Sequence, residues 1–215
     1  MSLESEFKNI YVINLDRRPD RFSEVQIELR KAGINNYEKF CAIDGKTLTH
    51  KYKFVPTDTM GDAQAMGHIG CTLSHFGVLN KAKEDGAEKY VVFEDDVELH
   101  KNFKELFDEY YNEVPADWDC ILLGGSHIGG FDRITERVIR IFGSYTTHAM
   151  LINKTMYDKL TAVWQHAGSE VDVAMASLHR DNKCYAFNPP LAWQKGGHSD
   201  ILGKYDDYIA LKKIL

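Results

Sequence analysis

The sequence predicts a single α/β domain over residues 1–215, with a mostly parallel central sheet flanked by helices. Three observations carry that prediction. Short apolar runs recur at residues 9–15, 39–44, 90–93 and 120–123, the first of them rich in β-branched residues. Between them lie longer stretches whose apolar residues recur at helical spacing. A chain of 215 residues is also long enough to bury one sizeable core.

The elements follow in order. "NIYVINL" (9–15) reads as a buried strand, and Pro19 then suits the first position of a helix carrying Phe22, Val25, Leu29 and Ala32, with Gly33 as its stop. "KFCAID" (39–44) is a second strand ended by the turn pair Asp44-Gly45, which completes a β-α-β unit. Residues 46–67, with Pro56, Gly61 and Gly67, show no period and are expected to form a long functional or mobile loop. A helix is expected over about 68–84, with Ile69, Leu73 and Phe76 on one face and Gly86 past its end. The strand at 90–93 follows, then a helix capped by Asn102 that carries Phe103, Leu106, Phe107 and Tyr110. "CILLGG" (120–125), "RVIRIF" (137–142) and "THAMLI" (147–152) are further strands. Asn153 caps a helix with Met156, Leu160 and Val163, and another spans about 171–179 before the strand "CYAF" (184–187) and a tail containing Pro and Gly.

Composition narrows the function. Thirty-two acids against 26 bases give a formal charge of −6, which argues against a broad nucleic-acid-binding surface. No apolar run reaches the length of a membrane span, and no secretory leader is visible in the opening residues. Cys41, Cys71, Cys120 and Cys184 lie far apart with no C-x-x-C pair, so they are expected to be buried free thiols in a reducing cytoplasm, not a zinc site.

The chemistry concentrates in "YVVFEDDVEL" (90–99). Glu94, Asp95 and Asp96 follow four apolar residues, and the stretch holds no lysine or arginine. Like charges at a buried strand end need a positive partner. Strand alternation would put Glu94 and Asp96 on one face and Asp95 on the other. Carboxylate oxygens at the carboxyl end of a central strand suit Mg²⁺ or Mn²⁺ bridged to phosphate, so a bound cation is the expected partner. The plainer alternative is a solvated acidic turn. In "NLDRRPDR", Asn14, Asp16, Arg17, Arg18 and Arg21 surround a helix start, where an anion is favoured; surface Arg–Asp pairs would read the same. "GHIGCTLSH" offers Gly67 and Gly70 for close backbone approach, with Ser74 and His75 one turn on. Glu170 and Asp172 in "SEVDVAMA" either favour a helix dipole or supply a general base. Gln194, His198, Ser199 and Asp200 in "WQKGGHSDI" form either a solvated tail or a segment that folds over a nucleotide.

The ordered blocks "INLDRRPDR", "AIDG", "GHIGCTLSH", "VVFEDDVEL", "THAMLINKTMYDKL", "VDVAM" and "PPLAWQKGGHSDI" resemble the family 25 glycosyltransferases, across about residues 10 to 201. This group contains the lipooligosaccharide galactosyltransferases and the collagen β-galactosyltransferases. The resemblance implies a GT-A-like fold, with a nucleotide-sugar-binding half at about 1–125 and an acceptor-side half with the tail at about 126–215. It implies inverting transfer of a hexose, galactose or glucose, from a UDP-sugar to a glycan or glycolipid, by a cytoplasmic enzyme loosely associated with the inner membrane face. Carried over by position, Asp96 with Glu94 and His198 would hold Mn²⁺ or Mg²⁺. Asn14, Asp16, Arg17, Arg21, Asp44, Ser74, His75, Glu94, Asp95 and Gln194 would contact the donor. Asp172, with Glu170 second, would be the base. Met150 departs from the tyrosine found in many relatives. A catalytically silent nucleotide-sugar- or glycan-binding domain is the alternative, and a metal-dependent phosphohydrolase ranks lower.

Overall fold

A computed structural model describes residues 2–50, 52–55, 60–201 and 203–207. The main sheet contains β1 (Ile10–Asn14), β2 (Glu38–Cys41), β3 (Lys89–Glu94), β4 (Cys120–Leu122), β5 (Phe131–Arg133), β6 (Val138–Ile141), β7 (Ala149–Asn153) and β8 (Cys184–Phe187). Its helices are α1 (Pro19–Lys31), α2 (Asp62–Glu84), α3 (Phe103–Tyr111), α4 (Tyr157–Trp164) and α5 (Val171–His179). The strand order is β2-β1-β3-β7-β4-β8-β6-β5. The α/β class with a large helix-flanked sheet is as expected.

β1 pairs in parallel with both β2 and β3, and β4 with β8. β7 runs antiparallel between β3 and β4, and β6 is antiparallel to β8 and β5. The regular β-α-β start is therefore the parallel half, and the second half mixes directions. β3 sits between β1 and β7, so its carboxyl end opens into the middle of the sheet edge.

Two apolar layers explain why the strands are so uniformly hydrophobic. Ile10, Val12, Val91 and Phe93 face α1 and α3, packing with Val25, Leu29, Phe103 and Phe107. Their alternates Tyr11, Ile13, Tyr90 and Val92 face α2, α4 and α5, packing with Val78, Leu79, Leu160, Trp164 and Met175. A strand covered on both faces loses the apolar-polar alternation and reads as a continuous run.

Two local departures have physical causes. α2 begins at Asp62, not near residue 68, so the expected loop is shorter than read; residues 51 and 56–59 of it, Pro56 among them, lie outside the described residues. The early helical turns escaped notice because residues 62–67 are exposed or half-buried and carry no apolar stripe. Near the start, Ser2 and Ser5 form a reciprocal capping box around a short helix, Leu3–Glu6, which docks Leu3 and Phe7 into the core.

α2 also approaches the turn after β2 with no side chain between them. A Cβ on Gly70 would stand 2.6 Å from the Ile43 carbonyl oxygen and 2.7 Å from the Gly45 nitrogen. Gly70→Ala is therefore expected to push α2 off this turn and cost about 1–3 kcal/mol in urea unfolding. An unchanged midpoint would show that the helix can shift freely.

Candidate functional site

A cleft opens at the carboxyl ends of β1, β2 and β3, the place at which open α/β sheets bind ligands. Asn14, Arg17, Arg21, Asp44, Ser74, His75, Glu94, Asp95, Asp96 and Gln194 line it. Residues from five separated sequence blocks thus meet in one cavity.

β3 ends at Glu94, and from there each acid takes a different partner. Glu94 faces α2: its Oε1 accepts from His75 Nε2 at 3.1 Å and from Thr147 Oγ1 at 2.8 Å. An ionised carboxylate only accepts, so Nε2 carries the imidazole proton. Burial opposes ionisation of Glu94, but these two donors win and hold its carboxyl at about 2. Asp95 faces α1, where Oδ2 accepts from Asn14 Nδ2 at 2.6 Å and Oδ1 lies 3.1 Å from Arg21 Nε. Burial, helped by the neighbouring Asp96 charge and opposed by Arg21, raises Asp95 to about 6. Asp96 Oδ2 lies 2.7 Å from Arg21 Nη2. Its Oδ1 is buried with no hydrogen-bond partner among the described residues. Burial pushes the Asp96 carboxyl up against the pull of Arg21.

One expectation needs correction here. Strand alternation stops at Glu94, because residues 95 and 96 form a turn, so Asp96 does not simply rejoin the Glu94 face while Asp95 turns away. Both aspartates converge on Arg21 instead, a guanidinium supplied by α1 from a distant part of the sequence.

The tail closes over the cleft. Asp200 accepts from Arg17 Nη1 at 2.6 Å, pairs with Arg18, and lies 3.7 Å from Arg21. Arg17 Nε also donates to Asp44 at 2.6 Å. The Lys195 N–H donates to the Asp96 carbonyl at 2.6 Å, and Ile201 packs beside Gly67. Of the two readings of this segment, the one in which it folds over the site is the one seen.

Not every expected residue arrives. Asp16 is outside the lining; its side chain is 72% exposed and held 2.8 Å from Lys39, because it sits beyond the end of β1 in the solvent-facing turn. Ser74 borders the cavity, but its hydroxyl is spent on structure, donating to the Gly70 carbonyl and accepting from the Ile43 N–H. His198 is exposed and lines a neighbouring cleft with Asp95, Asp96 and Arg18. Among the described residues, Asp96, Glu94 and His198 do not form a group of ligand atoms within 4.8 Å, whereas Cys71, His75 and Glu94 do. Glu170 and Asp172 lie outside the cavity lining. Asp172 Oδ2 accepts from the Thr146 N–H at 3.0 Å, pinning a residue with φ +73°, and Oδ1 accepts from the Val173 N–H at 2.9 Å.

Two residues were missed. Thr147 is a direct donor to Glu94. His148 is buried beside Glu94 and Asp96; burial lowers its pKa, and their charges pull the other way. The signal for both was a polar pair opening the apolar run "THAMLI". Asp200, named in the tail, gathers the three arginines.

Comparison with known proteins bears on this cavity. The model of "Glycosyltransferase family 25 (LPS biosynthesis protein)" matches residues 7–175. The chain is similar to "Putative glycosyltransferase R655" of Acanthamoeba polyphaga mimivirus, 33% identical over 144 residues that cover 66% of this chain and 44% of that protein. It is also similar to "Inactive glycosyltransferase 25 family member 3" of Mus musculus, 30% identical over 186 residues, 81% of this chain and 30% of the relative. "Procollagen galactosyltransferase 1" of Danio rerio is 31% identical over 130 residues, 55% and 21% of the two chains. The chain thus spans less than half the length of these relatives.

Removing the guanidinium tests the charge balance. Arg21→Gln leaves Asp95 and Asp96 with no cation between them, so their folded-state pKa values rise further above the unfolded ones. Groups raised in this way lose their stabilising contribution as pH rises through the folded pKa. The substitution is therefore expected to cost roughly 2 kcal/mol at pH 8, since the pair is partly exposed, and less near pH 5. Urea unfolding at both pH values measures it, and an equal cost at both would refute the assignment.

Proposed function

The chain belongs to glycosyltransferase family 25, and on that premise we propose that it moves a hexose, galactose or glucose, from a UDP-sugar to a glycan, lipooligosaccharide or other glycoconjugate acceptor, with inversion. The observation that carries this reading is the buried, unpartnered Asp96 Oδ1 in a cleft that also presents Arg17, Arg21 and the start of α1. The guanidinium groups and the α1 start suit a diphosphate. Asp44 and Asn14 stand where polar contacts to a nucleoside would fall, and the tail through Gln194 and Asp200 would cover it.

A divalent cation fits the donor set: Asp96 Oδ1 is a hard oxygen with no competing bond, and Glu94 lies on the same cavity wall. When bound, Mn²⁺ or Mg²⁺ would supply positive charge against the departing diphosphate. His75 and Thr147 keep Glu94 ionised, and Arg21 holds Asp95 and Asp96 together until phosphate oxygens compete for it. Asp172, with Glu170 second, is proposed to take the acceptor proton from the side of Thr146–His148, in an enzyme working in the cytoplasm at the inner membrane face.

One observation favours a second reading. Arg21 already pairs with both aspartates, so a silent domain could bind a nucleotide sugar with no metal, in keeping with relatives named inactive. Incubation with a panel of UDP-sugars and Mn²⁺ separates the two. Donor hydrolysis or transfer is expected, abolished by EDTA and lowered on the order of 100-fold or more by Asp96→Ala. Activity that survives Asp96→Ala counts against the metal assignment. Tight UDP-sugar binding with no turnover would establish the silent reading. Asp172→Asn is expected to cut turnover by on the order of 100-fold with donor binding unchanged, as isothermal titration would show.

A further inference from the structure

A second group of metal-ligating side chains lies at the opposite end of the sheet from the cleft. β4 runs in the same direction as β3, and Cys120 is at its first position, so the group lies at the amino ends of the strands. Cys120 and Cys184 face each other across the parallel pair β4–β8. His179, the last residue of α5, reaches the same face of the sheet. Both sulfurs and an imidazole nitrogen lie within 4.8 Å of one another, and all three residues are wholly buried.

The histidine is the informative member. Both of its ring nitrogens are buried with no hydrogen-bond partner among the described residues. Leaving an imidazole so placed is costly, and native structures rarely do it without a ligand or water. A ring nitrogen with no partner is free to take a ligand.

We propose that Cys120, His179 and Cys184 form a structural site for a thiophilic divalent cation, zinc in the first instance, filled as the chain folds. Binding forms two Zn–S bonds and one Zn–N bond, a water completes the tetrahedral set, and the two thiol protons leave to solvent. Two thiolates, one neutral imidazole and Zn²⁺ sum to zero charge, which an apolar core can hold. The site would tie α5 to the strands it packs on, independently of sugar transfer. It reverses the expectation of plain buried thiols: those ligands sit on separate elements, where spacing rules for zinc motifs do not reach.

The test uses the full chain, produced with zinc in the medium and dialysed against EDTA, with metal counted by mass spectrometry. One zinc per chain is expected in the wild type and in Asp96→Ala, which removes the donor-site metal ligand. At least about a tenfold drop is expected in the Cys120→Ala/Cys184→Ala double variant. Should that variant fail to fold, wild-type chain refolded with Co²⁺ is expected to show thiolate-to-cobalt charge-transfer absorption. Wild-type protein that carries no zinc and takes up no cobalt overturns the proposal. So does a Cys120–Cys184 disulfide, seen as two missing thiols in the denatured chain.

Discussion

Everything at the edge of the cleft follows from putting three carboxylates at the end of a buried strand. Left alone, Glu94, Asp95 and Asp96 would repel one another in a poorly solvated place. The fold separates them instead. Glu94 is handed to α2 and β7 through His75 and Thr147, and Asp95 to α1 through Asn14 and Arg21. Asp96 shares Arg21 and keeps one oxygen without a partner. A cluster of this kind is costly, and its persistence beside a cavity is better explained by a ligand than by stability, since apolar residues of similar volume would pack there at less expense.

The surrounding architecture serves that arrangement. The close approach of Gly70 to Ile43 and Gly45 brings α2 near enough for His75 to reach Glu94. Asp172 accepts from the Thr146 N–H, which stabilises the left-handed residue that turns the chain so that Thr147 and His148 enter beside β3. The tail adds a second carboxylate centre, Asp200, which draws Arg17 and Arg18 across the cavity mouth. Acids and guanidiniums therefore alternate around the opening. A diphosphate entering it would exchange one set of anionic partners for another, with no need to strip bare cations of water.

Much of this was legible in the chain, and the misses share a cause. The strand and its acids could be read because a continuous apolar run followed by carboxylates is unusual on its own. Arg17, Arg21 and Asp44 could be read because helix starts and turn pairs are local features. What local reading could not supply was which distant side chain meets which acid. Arg21 was read as a phosphate ligand, yet its present partners are Asp95 and Asp96. The Asp96 direction was lost because alternation holds only while a strand continues. Thr147, His148 and Asp200 depend on pairings across the sheet and along the tail that no spacing rule encodes. The start of α2 was hidden for another reason: residues 62–67 are exposed or half-buried, so these turns show no apolar stripe.

The shared use of Arg21 also sets the order of events that a metal-assisted site of this shape would need. Asp95 and Asp96 are both pushed toward the protonated form by burial, and Arg21 is the main counter to it, with Asn14 helping at Asp95 and His148 at Asp96. A cation arriving at Asp96 Oδ1 would deepen the ionisation of both acids and weaken their hold on the guanidinium. The guanidinium would then be freer to meet an incoming diphosphate oxygen. Metal and nucleotide would each favour the other's binding through one arginine, a coupling that by linkage must be reciprocal. In such a site the inter-acid arginine would be a placeholder, balancing the two aspartates until a ligand competes for it.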